Sequence, residues 1–477
     1  MVRQGSILGP GIFFSSQSGR GVSLAELIAA IAGELALFAA VGFFLFALDD
    51  LLVDLLYFTR RFWRNATVYR RHPRAFADRL DAPAQPGWFA IFVPAWDESA
   101  VIGDMLRATL DRFGDADYRI YVGHYRNDEA TAIEILRVDD ARIQPVEIDA
   151  DGPTSKADCL NNLYDALVAQ EWGMDAPAKA VVLHDAEDLV HPLELTLFDR
   201  LVERAAAVQL PVVPLIHPAS RWISGHYCDE FAESHGKELV VREAVGAAIP
   251  LAGVGCAIER GALSRLAASR EGKPFAAESQ TEDYELGLRI GAMGLRTLFV
   301  RIPAVAGEEA VVASAGHFPS TLDTAVRQKA RWIGGIAMAG WDRLGWSGSW
   351  GERWMRMRDR RGPLAAFLLF TGYLAALLWA QLLLARALGA PLDLRIDPLL
   401  GILLGANLVL LLWRLAVRML FTARTYGLVE GLLAAPRLVV GNLIAILAAW
   451  RAFRLHTSGQ PQRWDKTRHI FPGKAHT

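Results

Sequence analysis

Four stretches of the chain hold apolar residues in runs too long for an ordinary core helix, and between the first and the second lies a region of short apolar runs that end in acids. Leu24 to Leu48 is almost wholly apolar, and at about 1.5 Å of rise per residue it can cross a hydrocarbon core of roughly 30 Å. It is longer than a signal-peptide core and lacks a cleavage signal, so a retained spanning helix is expected over 24–48. Glu26 is expected near a membrane face, and Glu34 packed against protein. Residues 1–23 are rich in Gly, Ser and Gln without any period and predict a mobile tail. Asp49 to Tyr57 mixes three aspartates with leucines, which predicts a stretch lying along the interface within a basic linker over 49–82. After a basic interfacial segment over 346–363, Leu364 to Ala385 and Pro398 to Phe421 are both long enough to span. Leu428 to Trp450 is apolar but interrupted by Pro436, Arg437, Gly441 and Asn442, which predicts an interfacial or re-entrant helix, or else a fourth span.

From Pro83 to about residue 345 the period changes. Trp88 to Val93 is a strand-length run closed by Pro94-Ala-Trp-Asp-Glu98, after which Val101, Met105, Leu106 and Leu110 share one helical face. Tyr118 to Val122 repeats the pattern and leads into His124-Tyr-Arg-Asn-Asp-Glu-Ala-Thr131. Ile143 to Ile148 predicts a third strand, and Gly152-Pro-Thr-Ser-Lys156 opens a helix with Leu160, Leu163, Tyr164 and Leu167 at i, i+3, i+4 and i+7. Ala180-Val-Val-Leu183 is a fourth strand that breaks into His184-Asp-Ala-Glu-Asp188, and Val212 to Ile216 predicts a fifth. Strand, acidic loop, helix is the rhythm of a mostly parallel doubly wound sheet, which binds ligands at the carboxyl ends of its strands.

Composition sharpens this into a membrane protein with a folded domain, because 52% of its 477 residues are hydrophobic. A formal charge of −2 gives no global basic signal, so nucleic acid is not an expected partner. The three cysteines, Cys159, Cys228 and Cys256, fit a reducing compartment better than a disulfide scaffold or a zinc site. Six arginines between Arg60 and Arg74, five between Arg353 and Arg361, and then Arg414, Arg418 and Arg424 mark the cytoplasmic side of the spans and favour anionic membrane lipids.

Asp185 and Glu187 supply hard oxygen ligands of the kind that hold Mg²⁺ or Mn²⁺ against a diphosphate, with Asp188 a third ligand or an orienting group. On its own such a motif is more often a solvated loop. Glu282 and Asp283 open an amphipathic stretch, where acids suit a helix N-terminus. Gln328-Lys-Ala-Arg-Trp332 alone would read as a surface cation beside a core indole.

In order along the chain, Pro94 to Glu98, Gly123 to Thr131, His184 to Asp188 and Val326 to Ile333 resemble the family-2 glycosyltransferases of GT-A fold. The similarity is to the membrane-bound branch with cellulose and hyaluronan synthases, and more closely to the bacteriophage-adsorption protein B group of inner-membrane glycosyltransferases. The resemblance covers roughly residues 84–340 plus the membrane segments. It implies an α/β GT-A catalytic domain over 83–345, combined with α-helical transmembrane segments and a cytosolic tail over 451–477. By the same resemblance the Pro94, Asp97 and Glu98 loop and Asp128 hold the nucleoside, and Lys156 matches the position that opens the third helix. Asp185 and Glu187 match the metal motif, Asp283 beside Glu282 the catalytic base, and Gln328, Arg331 and Trp332 the Gln-x-x-Arg-Trp signature. Trp464 and His469 resemble a tail that closes over the nucleotide.

Such an enzyme is inverting, uses a nucleotide-sugar donor (a UDP-sugar foremost) with Mg²⁺ or Mn²⁺, and extends a cell-surface polysaccharide or a lipid-linked acceptor. It works as a multi-pass protein of the bacterial inner membrane with its catalytic domain cytoplasmic, and it leaves room for an export partner. Single addition onto a lipid carrier and a non-enzymatic envelope scaffold remain open. Intact Asp185, Asp283, Gln328, Arg331 and Trp332 weigh against the scaffold.

Overall fold

In the computed structural model, residues 24–392, 394–458 and 469–472 are described, so the expected tail over 1–23 lies outside the described residues. In chain order the strands are β1 (Phe89–Pro94), β2 (Tyr118–Tyr125), β3 (Ile143–Ile148), β4 (Ala180–Leu183), β5 (Ala207–Gln209), β6 (Val212–Leu215), β7 (Cys256–Glu259), β8 (Thr297–Phe299) and β9 (Ser314–His317). The helices that matter below are α1 (Leu24–Ala66), α2 (Ile102–Phe113), α3 (Glu129–Leu136), α4 (Lys156–Glu171), α5 (Glu194–Leu201), α6 (Ile223–Glu233), α7 (Glu282–Ala292), α8 (Leu322–Ile333), α9 (Trp350–Arg360), α10 (Gly362–Ala387), α11 (Pro398–Tyr426) and α12 (Leu428–Ser458).

Seven strands form one sheet in the order β3-β2-β1-β4-β7-β5-β8, parallel except where β7 runs against β4 and β5. Every residue of β1 is buried, so its side chains feed two cores in alternation. Ile91 and Val93 pack with Met105, Leu106 and Phe113 on one face, while Phe92 packs with Tyr121, Leu160 and Leu163 on the other. The doubly wound sheet is therefore as expected, with one correction. Val212 to Leu215 is a strand, but it pairs with β9 in a separate two-stranded ribbon. Pro214 removes a ladder donor, which suits a ribbon better than a sheet interior, and the Val212 N–H donates to His235 Nδ1 at 2.9 Å instead. The place in the main sheet goes to the three-residue β5.

Among the described residues, four helices are long and apolar enough to cross a membrane: 24–71, 362–387, 398–426 and 428–458. The expected interfacial stretch after Leu48 is instead the continuation of α1, unbroken to Ala66. Its aspartates explain the difference. Asp49 accepts from Arg361 at 2.9 Å and from the Trp354 indole at 2.7 Å, and Asp50 meets Arg361 at 2.6 Å and Arg414 at 2.9 Å. Asp54 pairs with Lys237 and accepts from the Trp413 indole at 2.8 Å. Carboxylates that looked like interfacial punctuation are thus the joints between α1, the other long apolar helices and the sheet domain.

Pro436 does not break α12 either. Arg437, completely buried, reaches back to the Glu430 carbonyl at 2.7 Å, and its guanidinium meets Glu430 at 2.6 Å and Asp229 of α6 at 2.7 Å. The polar interruption read in the sequence is one half of a protein–protein ion cluster.

Breaking the junction from one side should be costly, because it leaves the buried Lys237 ammonium with Glu233 alone and the Trp413 indole without its acceptor. Asp54→Ala is expected to destabilise the detergent-solubilised protein by about 1–3 kcal/mol in thermal unfolding, whereas Arg107→Ala, which opens the exposed pair with Asp104, should stay below that, within about 1 kcal/mol.

Candidate active site

The carboxyl ends of β1, β2 and β4 deliver three acidic loops to one edge of the sheet. After β1, Asp97 takes a left-handed backbone at φ 53°, and its N–H donates to Asp128 Oδ2 at 2.5 Å. Asp128 also caps α3, accepting from the Thr131 N–H at 3.3 Å. Its carboxylate therefore ties the β1 and β2 loops together. The Glu98 N–H donates to Thr131 Oγ1 at 2.9 Å, and Glu98 is buried.

In the loop after β4, alternate acids point opposite ways. Asp188 turns inward, accepting from the Asp185 N–H at 2.9 Å and meeting His184 Nδ1 at 3.1 Å, while His184 Nε2 meets Glu194 of α5 at 2.7 Å. Burial opposes charge on His184, but Glu194 and Asp188 hold its imidazole up at about 10. Asp188 thus braces the loop while lining, with Asp185 and Glu187, a cavity of about 570 Å³.

Lys156, at the start of α4, forms an ion pair with Asp185. Burial would lower its ammonium, yet Asp185, Glu282 and Asp283 outweigh that and hold it above the ordinary lysine range. Glu282 and Asp283 sit in the first turn of α7, where the helix dipole favours anions. Burial still dominates: it pushes Glu282 up to about 7, with repulsion from Asp283 adding, and it raises Asp283 as well, with Lys156 opposing. Asp283 has room because Gly253, at φ 75°, faces it; a Cβ there would stand 2.6 Å from Asp283 Oδ2.

Gln328, Arg331 and Trp332 of α8 close the far side of the cavity. Gln328 Oε1 and Arg331 Nε are buried without a hydrogen-bond partner among the described residues. Trp332 joins a cluster with Tyr227, Phe231 and Phe318. Both α6 and α8 run on into short π-helical turns, 234–238 and 334–339, which bring His235 and Ile336 into the wall. Sequence reasoning missed Phe231, His235, His317 and Phe318, because nothing local marks them. Their approach depends on the β6–β9 ribbon, which joins segments about a hundred residues apart.

The one cavity therefore gathers Lys156, Asp185, Glu187, Glu282, Asp283, Gln328, Arg331 and Trp332. Pro94, Asp97, Glu98 and Asp128 lie at the adjoining edge rather than in its lining. His469 bridges the two regions, with Nδ1 2.8 Å from Glu98 Oε1 and 3.1 Å from Glu187 Oε2, and donor atoms of these three residues all lie within 4.8 Å of one another. Trp464 lies outside the described residues.

Residues 86–335 match the family described as Glycosyltransferase like family 2. The chain is 39% identical to bacteriophage adsorption protein B of Escherichia coli (strain K12) and to bacteriophage N4 adsorption protein B of Escherichia coli O157:H7, in each case over 92% of this chain and 62% of that protein. It thus spans less than two thirds of the length of these relatives. Among solved structures, the mannosyltransferase PcManGT from Pyrobaculum calidifontis, in complex with GDP-Man and Mn²⁺, aligns at 18% identity and a TM-score of 0.46 over 86% of this chain and 99% of that chain. Glucosyl-3-phosphoglycerate synthase from Mycobacterium tuberculosis, with Mn²⁺, UDP-Glc and glycerol 3-phosphate, aligns at 17% and 0.32 over 55% and 82%.

Gly253→Ala and Gly246→Ala share a cost, since both residues are left-handed, at φ 75° and 72°. Only Gly253 faces a neighbour; nothing lies within 4 Å of a Cβ at Gly246. Both variants should lose roughly 1 kcal/mol from backbone strain, and Gly253→Ala should lose measurably more in thermal unfolding because it also displaces Asp283.

Proposed function

Because the chain belongs to glycosyltransferase-like family 2, we propose that it is a membrane-embedded, metal-dependent, inverting glycosyltransferase that moves a sugar from a nucleotide-sugar, a UDP-sugar foremost, onto a growing cell-surface polysaccharide. The observation that carries this reading is the meeting of Asp185 and Glu187, of Glu282 and Asp283, and of Gln328, Arg331 and Trp332 around one cavity, whose size falls in the range of ligand pockets.

Transfer requires the acceptor hydroxyl oxygen to attack the anomeric carbon while the bond to the diphosphate breaks and its electron pair leaves with the nucleotide. Asp283 accepts the hydroxyl proton, and its raised pKa makes it a stronger base for that task than an ordinary carboxylate. Arg331 and Lys156 offer fixed positive charge to the diphosphate. Trp332 presents an apolar face with an N–H handle to a sugar ring. Glu98, Glu187 and His469, whose donor atoms lie within 4.8 Å of one another, form a set that fits Mg²⁺ or Mn²⁺, and Asp185 lines the same cavity as Glu187. When bound, such an ion supplies Lewis-acid stabilisation of the leaving diphosphate. Pro94, Asp97, Glu98 and Asp128 shape the edge that receives the nucleoside.

The arginine clusters support a cytoplasmic catalytic domain under the bacterial inner membrane. An interfacial course for α12 is supported by its packing: Val440 and Ile444 join the aromatic cluster of α6 and α8, Ala448 and Ala452 meet Ala330, and Leu432, Val439, Leu443 and Trp450 are exposed. That same contact favours a lipid-linked acceptor as the second reading, because α8 carries the cavity's far wall and lies against this apolar helix. Product length separates the two acceptors.

The test is nucleotide release and product size from detergent-purified protein supplied with labelled nucleotide-sugars and Mn²⁺. Asp283→Asn should lower turnover by roughly 10²-fold or more with donor affinity little changed. Asp185→Ala and EDTA should each abolish transfer, and undiminished activity in either would overturn the metal assignment. In the parent protein kcat/KM should climb with pH along a limb that belongs to the Glu282–Asp283 pair and lies above the ordinary carboxylate range near 4. The sign follows from the base acting only when deprotonated, and Asp283→Asn should remove the limb.

A further inference from the structure

Helix α1 has one packed face and one bare one. Ala32, Ala39 and Ala40 are buried against α10 and α11, where the Trp379 indole donates to the Ala32 carbonyl at 3.2 Å and Asn407 to the Ala40 carbonyl at 2.8 Å. On the opposite face Leu27, Ile31, Phe38, Val41 and Leu45 are each about half exposed, and only Phe38 among them has a ring contact, edge-on to Phe367 of α10 at 6.0 Å. They follow one another, with Glu34 among them, at intervals of four, three, four, three and four residues. A period of 3.5 is the seam that a second helix follows in a left-handed pair.

Apolar side chains facing lipid need no explanation, but Glu34 does. It is exposed on this seam, about 22 Å along the helix from the Asp49 joint and therefore inside the hydrocarbon layer. A carboxylate at that depth is expensive unless it faces protein, and no described residue covers it. The second anomaly lies at the other end. Past the ionic joint at Asp49 to Asp54 the helix leaves the membrane, yet Leu52, Leu56 and Trp63 continue the seam exposed at 47%, 38% and 65%. Lipid suits the upper residues but not Glu34; water suits neither Leu56 nor Trp63. A helix lying along the whole face suits all of them.

Charge identifies what kind of helix. A second copy, side by side, would set Glu34 against Glu34 and bring together two sets of Arg60, Arg61 and Arg64, none of which is ion-paired to a described carboxylate; Arg61 and Arg64 bond only to Tyr57 and Tyr69. We propose that this face of α1 docks a membrane helix of a different protein, one that carries a cationic or hydrogen-bond-donating side chain opposite Glu34 and acidic residues beyond its cytoplasmic end.

The experiment places a photo-crosslinking amino acid at Ile31, Phe38 or Leu45 of the full chain in its native membrane, with Leu408 on the exposed face of α11 as the control. One and the same protein should be captured from the three seam positions and not from Leu408. Capture should fall by roughly 3- to 15-fold in Glu34→Leu, the range for a polar contact between membrane helices, and persist in Glu34→Gln at matched membrane levels. Mass spectrometry should find a spanning helix with a donor at that depth, and replacing that donor by leucine should copy Glu34→Leu. Adducts to lipid alone, to a second copy, or to residues 1–23 of the same chain would each overturn the proposal, as would no adduct at the seam or a protein adduct indifferent to Glu34→Leu.

Discussion

Acids from distant parts of the chain can share one cavity only if something answers their repulsion, and here that is chiefly the half-buried Lys156 ammonium, with Arg331 assisting. Lys156 is fixed at the first turn of α4 by the capped Ser155, which accepts from the Asp158 N–H at 3.1 Å. From there it pairs with Asp185 and acts on Glu282 and Asp283 across the cavity. It opposes the burial that pushes Glu282 and Asp283 up, holding both nearer the charged form that can hold a cation or accept a proton. The division of labour follows. Asp185 has its charge answered within the protein, Asp188 is consumed as a brace for the loop, and Asp283 is left raised and available. Six acidic residues, Asp185, Glu187, Asp188, Glu278, Glu282 and Asp283, line the cavity against one lysine and one arginine, an excess of acid that, on the proposed function, suits a divalent cation and a diphosphate bound together.

The far wall is held differently. Helix α6 carries Asp229, Glu230 and Glu233, and each is tied to another element: Asp229 to Arg437 of α12, Glu230 to Lys329 of α8, and Glu233 to Arg414 and Arg418 of α11 as well as to Lys237. The same helix then widens into the π-helical turn that presents Ser234 and His235 to the cavity. Buried ion pairs give little net stability, but they penalise every alternative register in which one partner is stranded. The membrane helices therefore set the position of the cavity wall through charge rather than through apolar packing alone, and this explains why α1 carries three aspartates where an interface would have wanted none.

What could be read in advance divides along that line. The edge formed by the β1, β2 and β4 loops, the donor edge of the proposed function, was legible because parallel strands shed their acids locally: the end of β1, the end of β2 and the end of β4 each announce themselves within five residues of the strand. The family resemblance then linked them, and the match over residues 86–335 bears it out. The fate of Asp188 was not legible, since it turns on Glu194, a partner in the next helix. Nor was the reassignment of the fifth strand, where Pro214 was visible but its partner strand, β9, lay a hundred residues on. The continuation of α1 was missed for a related reason. Asp49, Asp50 and Asp54 look like a polarity boundary until Arg358, Arg361, Arg414 and Lys237 are brought beside them, and no period in a single helix reports its neighbours' charges.

This contrast carries a consequence for how such a site can change. Its donor edge rests on the sheet, in loops a few residues long whose backbones are tied to each other, as Asp97 is to Asp128 and Glu98 to Thr131. The opposite wall rests on two π-helical turns and on helices α6 and α8, which are positioned by α11 and α12. A wide helical turn can gain or lose a residue by a local shift, whereas a strand end in a parallel sheet cannot move without disturbing both core faces. On the proposed function, the nucleotide end is therefore constrained by the fold and the acceptor end by the membrane helices. Substitutions along α12 can reshape what the cavity accepts without touching any residue that performs the transfer.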